Sequence, residues 1–136
     1  MPEGHTIHRH ARTQRGAIGG QLIRAASPQG RFAHGAKRLD GRVLEDIDAH
    51  GKHLFYRWEG GATLHVHLGL FGKFKLYRAP SPPPPSENTR LTMSGDTATV
   101  YLAGPTICEL IDPHEEEALR ARLGPDPLRN GSRRAK

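Results

Sequence analysis

Apolar positions along the chain recur at two periods, and the switch between them marks out the elements. In residues 4–15, Ile7 and Ala11 stand four apart among His8, Arg9, His10, Arg12 and Arg15. That spacing predicts a short helix with a narrow apolar stripe, capped by Thr6 and stopped at Gly16. So thin a stripe does not hold a helix by itself, so this one is expected to be pinned to a larger body. From Gln21 the period becomes two. Strands are expected at Leu22–Ala26, Arg42–Ala49, His53–Trp58, Thr63–Leu68, Lys73–Tyr77, Arg90–Met93, Thr97–Leu102 and Ile107–Ile111, with a less regular stretch from Phe32. The clearest alternation sets Leu54, Tyr56 and Trp58 on one face, then Leu64, Val66 and Leu68, with His65 and His67 opposite. It continues with Phe74 and Leu76 inward and Lys73 and Lys75 outward.

Turn residues separate these runs: Glu59-Gly60-Gly61, Ser94-Gly95-Asp96, and a stretch over 79–90 holding Pro80, Pro82, Pro83, Pro84 and Pro85. Asp112-Pro113 followed by Glu115, Glu116 and Glu117 opens a second helix, with acids at its positive end and Ala118, Leu119 and Leu123 as its apolar face. Gly124-Pro125-Asp126-Pro127-Leu128 ends it. The expected fold is mainly β: a two-layer antiparallel sandwich of about eight strands, flanked by an N-terminal and a C-terminal helix.

Composition changes this picture little. A chain of 136 residues is one domain with room for a core. Net charge is +6, but Arg129, Arg133, Arg134 and Lys136 supply four of those charges in an acid-free tail over 129–136, which is expected to be disordered. The body through residue 128 is left at only +2, so basicity alone does not argue for nucleic acid. One cysteine, Cys108, excludes an internal disulfide and fits a reducing compartment. There is no apolar run long enough to span a bilayer and no signal-like N-terminus, so a cytoplasmic monomer without membrane contact is expected.

Candidate chemistry begins at the start of the chain. If Met1 is removed, Pro2 carries a free secondary amine beside the Glu3 carboxylate. An amine can attack an aldehyde-level carbon to form a Schiff base while a carboxylate moves protons. An α-amino group titrates near ~8, so part of it is free base at neutral pH. A frayed terminus would read the same way. Lys52 stands between Gly51 and the most regular strand, where it can be held at a sheet end facing a phosphate, or simply be solvated. In His67-Leu68-Gly69-Leu70-Phe71-Gly72-Lys73, two glycines bracket an apolar pair. Such a tip either turns into the core or inserts between DNA bases, as wedge residues do where a nucleotide is extruded. His65 and His67 share a strand face, but no third ligand follows at a recognisable spacing, so no metal is expected.

Taken together, Pro2-Glu3-Gly4, Gly51-Lys52-His53-Leu54, His67-Leu68-Gly69-Leu70-Phe71-Gly72 and Leu123-Gly124-Pro125-Asp126-Pro127-Leu128 resemble the formamidopyrimidine-DNA glycosylase/endonuclease VIII family. The likeness covers residues 2–128, as that family's N-terminal catalytic domain. Cys108-Glu109-Leu110 and the Leu70-Phe71-Gly72 loop lie nearer the endonuclease VIII branch. The resemblance implies a base-excision-repair DNA glycosylase and abasic-site lyase acting on oxidised bases in double-stranded DNA. Pro2 would be the nucleophile, Glu3 the proton shuttle and Lys52 a group on the sugar-phosphate. His67, Gly69, Leu70, Phe71 and Lys73 would contact DNA. Thr6 stands where the family usually has a second Glu. Asp112-Pro113-His114-Glu115 lacks the Arg-Phe wedge of the formamidopyrimidine branch, which favours pyrimidine lesions over 8-oxoguanine. The family's helix–two-turn–helix domain and zinc finger are expected to lie outside these residues, so no cofactor is expected within them. A DNA-binding β domain that keeps the fold without turnover is the alternative.

Overall fold

The computed structural model describes residues 4–78 and 82–126. The chain order is α1 (Gly4–Ile18), β1 (Leu22–Ala26), α2 (Ala33–Leu39), β2 (Arg42–His50), β3 (His53–Trp58), β4 (Thr63–His67), β5 (Lys73–Tyr77), β6 (Thr89–Ser94), β7 (Thr99–Ala103), β8 (Ile107–Ile111) and α3 (Pro113–Leu123). All eight strands are antiparallel and hydrogen-bonded in the order β5-β7-β6-β1-β2-β3-β4-β8. β1 divides its pairing. Leu22 and Ile23 bond to β2, whereas Arg24, Ala25 and Ala26 bond to β6. It thereby joins two wings whose inward residues enter one buried cluster: Leu44, Ile47, Leu54, Tyr56, Trp58, Leu64 and Val66 from one, Leu91, Met93, Val100 and Leu102 from the other. Phe74 and Leu76 pack against that cluster from β5, as their alternation predicts.

Helix α1 runs past Gly16 to Ile18, and Thr6 lies within it rather than capping it. The reason is a stripe longer than Ile7 and Ala11 alone: Gln14, Ala17 and Ile18 are also buried. Gln14 is tolerated there because the buried Tyr56 hydroxyl donates to its Oε1 at 2.5 Å. The helix ends at Gly19 and at Gly20, which has φ +75 and donates its N–H to the Leu44 carbonyl at 2.7 Å.

The stretch after Phe32 is helical, which the reading of the sequence missed. Phe32, Ala36 and Leu39 are buried at helical spacing, but the element has seven residues, no side-chain cap and a glycine inside. Gly35 is needed there, because any Cβ would run into the Phe32 ring.

Helix α3 starts as expected. Asp112 and Glu115 form a reciprocal capping box, at 2.7 and 2.8 Å. Its inward face differs from expectation. Ala118 and Leu123 are exposed and Leu119 half-buried, while Glu116 is the buried residue. The outer side of β2 and β3 presents Asp48, Arg57, His50 and Phe55, so the helix meets it with charge. Glu116 binds Arg57 at 2.6 Å and Arg120 at 2.8 Å, Arg120 reaches Asp48 at 3.0 Å, and the Arg120 guanidinium sits 4.3 Å from the centre of the Phe55 ring.

Candidate active site and DNA interface

Three segments meet at one end of the sandwich. The first is the β2–β3 connection, a two-residue turn closed by the His50–His53 pair. Gly51 has φ +61 and Lys52 does not have positive φ, the combination of a type II′ turn, which suits the twist of the strands it joins. Lys52 stands exposed at its tip.

The second is the start of α1. Pro2 and Glu3 lie outside the described residues. The helix they lead into is fixed through a third segment, the run after α3. Asp126, almost wholly buried, accepts the Gly51 N–H at 2.6 Å and meets His8 Nε2 of α1 at 2.8 Å. His50 Nε2 donates to the Gly124 carbonyl at 2.5 Å. Arg15 further ties α1 to β2 by donating to the Ile47 carbonyl at 2.8 and 3.1 Å. Asp126 falls within the motif over residues 123–128, but its sequence context does not mark it as a site residue. A lone acid between two prolines gives no hint of partners that lie far off in the chain.

Beside Lys52 stands a histidine stack. His67 Nδ1 donates to the Lys52 carbonyl at 3.2 Å, and its ring lies 4.6 Å from that of His53, nearly parallel. His53 Nδ1 is 2.8 Å from His65 Nε2, and His65 Nδ1 is 2.9 Å from Glu109. If His65 donates to the carboxylate, it must accept from His53, which sets both tautomers. Burial, then the neighbouring His67, His65 and His50, push His53 down to about 4. Burial also lowers His65, although its bond to Glu109 pulls the other way. Both rings are therefore neutral near pH 7, and the His65–Glu109 contact is a hydrogen bond rather than an ion pair. Among the described residues no group of three His, Cys, Asp or Glu is placed to hold a metal ion.

The loop after His67 points its apolar pair outward. Leu70 is 63% and Phe71 76% exposed, while Leu68 just before them is buried and anchors the loop. Gly72 donates to the Leu68 carbonyl at 3.0 Å, and Thr106 donates to the His67 carbonyl at 2.9 Å. Gly69 has φ +68, and a Cβ there would strike the Thr106 hydroxyl. A Cβ on Gly72 would strike the Leu68 carbonyl. Lys73, the first residue of β5, is exposed next to this tip. Of the residues read from sequence, Lys52, His67, Gly69, Leu70, Phe71 and Lys73 thus share one end of the molecule.

Residues 1–105 match the formamidopyrimidine-DNA glycosylase N-terminal domain, and the chain belongs to that family. It is 48% identical over 133 residues to Endonuclease 8 1 of Mycobacterium tuberculosis, covering 96% of this chain and 50% of that protein. It is 30% identical over 135 residues to the formamidopyrimidine-DNA glycosylase of Thermus thermophilus, covering 94% of this chain and 48% of that one. The fold matches that of MutM in complex with DNA containing carbocyclic 8-oxo-G, at TM-score 0.75 and 23% identity over 89% of this chain and 49% of that chain. It also matches the Lactococcus lactis formamidopyrimidine-DNA glycosylase bound non-covalently to DNA containing an abasic site, at TM-score 0.70 and 23% identity over 89% of this chain and 48% of that chain. The chain spans about half the length of the curated relatives it matches. No helix among the described residues is long and apolar enough to cross a membrane.

Proposed function

We propose that this chain is the catalytic half of a DNA glycosylase and abasic-site lyase that removes oxidised bases, pyrimidines above all, from double-stranded DNA. The observation that carries the reading is the Asp126 bridge, which holds the first turns of α1 against the Lys52 turn at the end where Leu70 and Phe71 protrude. Pro2 precedes Gly4 by two residues, at most about 7 Å of chain.

In this mechanism Pro2, freed of Met1, attacks C1′ of the damaged nucleotide. The bond to the base breaks, and its electron pair leaves with the base, which takes up a proton. Loss of the amine proton and opening of the sugar through its ring oxygen, assisted by Glu3, leave a Schiff base between Pro2 and C1′. Removal of a C2′ proton then expels the 3′ phosphate, and a second elimination expels the 5′ phosphate. Lys52 pairs with the sugar-phosphate and His67 with the backbone beside it. Leu70 and Phe71 fill the space left by the extruded nucleotide.

Borohydride trapping on a duplex with one abasic site tests the proposal. A covalent adduct that disappears in Pro2→Gly supports it. Duplex binding without any adduct at high protein concentration would sink the lyase reading and leave a non-catalytic DNA-binding domain.

A further inference from the structure

The two outer faces of the sandwich are unlike. The face of β2, β3, β4 and β8 carries Asp48, Arg57 and Glu109, and α3 and its ion pairs cover part of it. The face of β5, β7 and β6 carries none of this: not one residue of the three strands is acidic. Register places Lys73, Lys75 and Tyr77 in a row along β5, with Tyr101 directly across from Lys75 and Thr92 across from Tyr101. Phe74, Leu76, Val100 and Leu102 take the opposite side and form core, so the outward identity of the row follows from the two-residue period.

Tyr77 and Tyr101 meet edge to face with ring centres 5.0 Å apart. Both are half-buried, and both lysines are exposed. The Tyr101 hydroxyl donates to the Pro83 carbonyl at 2.7 Å, which fixes its ring in a groove that Pro83 and Pro84 also line. Glu87, in the segment that follows the prolines, does not line this groove. Lys73 directly follows Gly72, so the row starts at the exposed Leu70-Phe71 tip and leads away from it.

We propose that this face is a binding track for single-stranded DNA, with Tyr77 and Tyr101 as the stacking platform and Lys73 and Lys75 on the phosphates. An acid-free row of lysines suits a polyanion. Paired aromatic rings in a groove suit bases whose faces are free, which duplex bases are not. The track borders the proposed duplex site at Lys73, but its stacking platform takes no part in the lyase chemistry, and it holds whether or not that chemistry does.

The test uses the full chain and a fluorescent, lesion-free dT12 oligonucleotide. Anisotropy should show salt-sensitive binding that weakens about tenfold in Tyr101→Ala. Tyr101→Phe, which keeps the ring and loses the bond to Pro83, should retain most of it. Lys75→Glu, on an exposed position, should weaken binding and flatten its salt dependence by roughly one phosphate contact. Trapping on the abasic duplex should be unchanged in Tyr101→Ala and Lys75→Glu, so failure of this inference and failure of the lyase reading are read separately. No binding of the oligonucleotide, or binding that survives both substitutions but is lost in Lys52→Ala, would overturn the track.

Discussion

Asp126 accepts the N–H of Gly51 at 2.6 Å across 75 residues of chain, and the same carboxylate oxygen meets His8 at 2.8 Å. One buried oxygen therefore links the first turns of α1 directly to the turn that carries Lys52. Asp126→Ala leaves the Gly51 N–H and His8 without this partner inside the protein. It should cost about 1–3 kcal/mol, read as a lowered thermal midpoint. The loss of Schiff-base trapping should exceed the loss of folded protein at a temperature where the variant is still native, because the spacing of the two groups is what changes. Trapping that falls only in step with the folded fraction would reduce Asp126 to a structural residue.

Much of this was readable from residue order, and the misses have physical causes. Period-two alternation found every strand because one face of each is packed on a single core, as Leu54, Tyr56 and Trp58 show. Helix α2 escaped because Gly35 and the lack of a cap hide a stripe of only Phe32, Ala36 and Leu39. The inward face of α3 was misassigned because amphipathic reasoning assumes an apolar receiving surface, and Phe55 sits among Asp48, Arg57 and His50. The site divided likewise. Local features, such as the Gly51-Lys52 turn and the Gly69–Gly72 loop, are written in consecutive residues. The Asp126 bridge and the His67–His53–His65–Glu109 series depend on pairing across strands, which no short window of sequence contains.

Glu116 anchors α3 through Arg57 and Arg120. Burial works against its charge, but the hydrogen bonds from Arg57 and Arg120 prevail and hold its carboxyl below the usual 4.5. Glu116→Gln leaves two guanidinium groups short of an anion. The cost should be roughly 2–3 kcal/mol, less than for a fully buried pair because Arg57 is partly in water. The folded value lies below the unfolded one, so the wild-type contribution is whole above pH 4.5 and fades as pH falls below it. Denaturant midpoints followed down to pH 3 should show that limb in the wild type and a shallower one in Glu116→Gln. Equal midpoints at pH 7 would show that the network adds nothing net.

His53 predicts a second, higher pH window. Its folded value of about 4 lies under the ordinary 6.5, so below pH 6.5 the unfolded chain takes up this proton before the folded one does. Its contribution is complete above about 6.5 and is lost as pH falls toward about 4. For a ring that remains partly solvated the size is roughly 1–2 kcal/mol. His53→Gln should flatten the stability curve between those limits, with a remainder from His65, whose shift has the same sign. Histidine ring signals followed by NMR would locate the titration directly, and a His53 midpoint near 6.5 would remove the basis of the prediction.

The loop at Gly69 separates what shapes the tip from what the tip does. Gly69→Ala forces a side chain into φ +68 and onto the Thr106 hydroxyl, at a cost of about 1–3 kcal/mol. Adding Thr106→Ala removes the hydroxyl but leaves its Cβ 2.9 Å from the new one, so it should recover part of the steric cost and none of the backbone cost, and the double variant should melt between the wild type and Gly69→Ala. Leu70→Ala and Phe71→Ala remove side chains that are 63% and 76% exposed, so their melting should move by less than about 0.5 kcal/mol. If the tip fills the gap left by an extruded nucleotide, the pair of substitutions should lower trapping on duplex DNA on the order of tenfold. It should also abolish the rise in 2-aminopurine fluorescence beside the lesion. Full trapping by that double-alanine variant would mean the exposed pair plays no part in opening the duplex, whatever else it contacts.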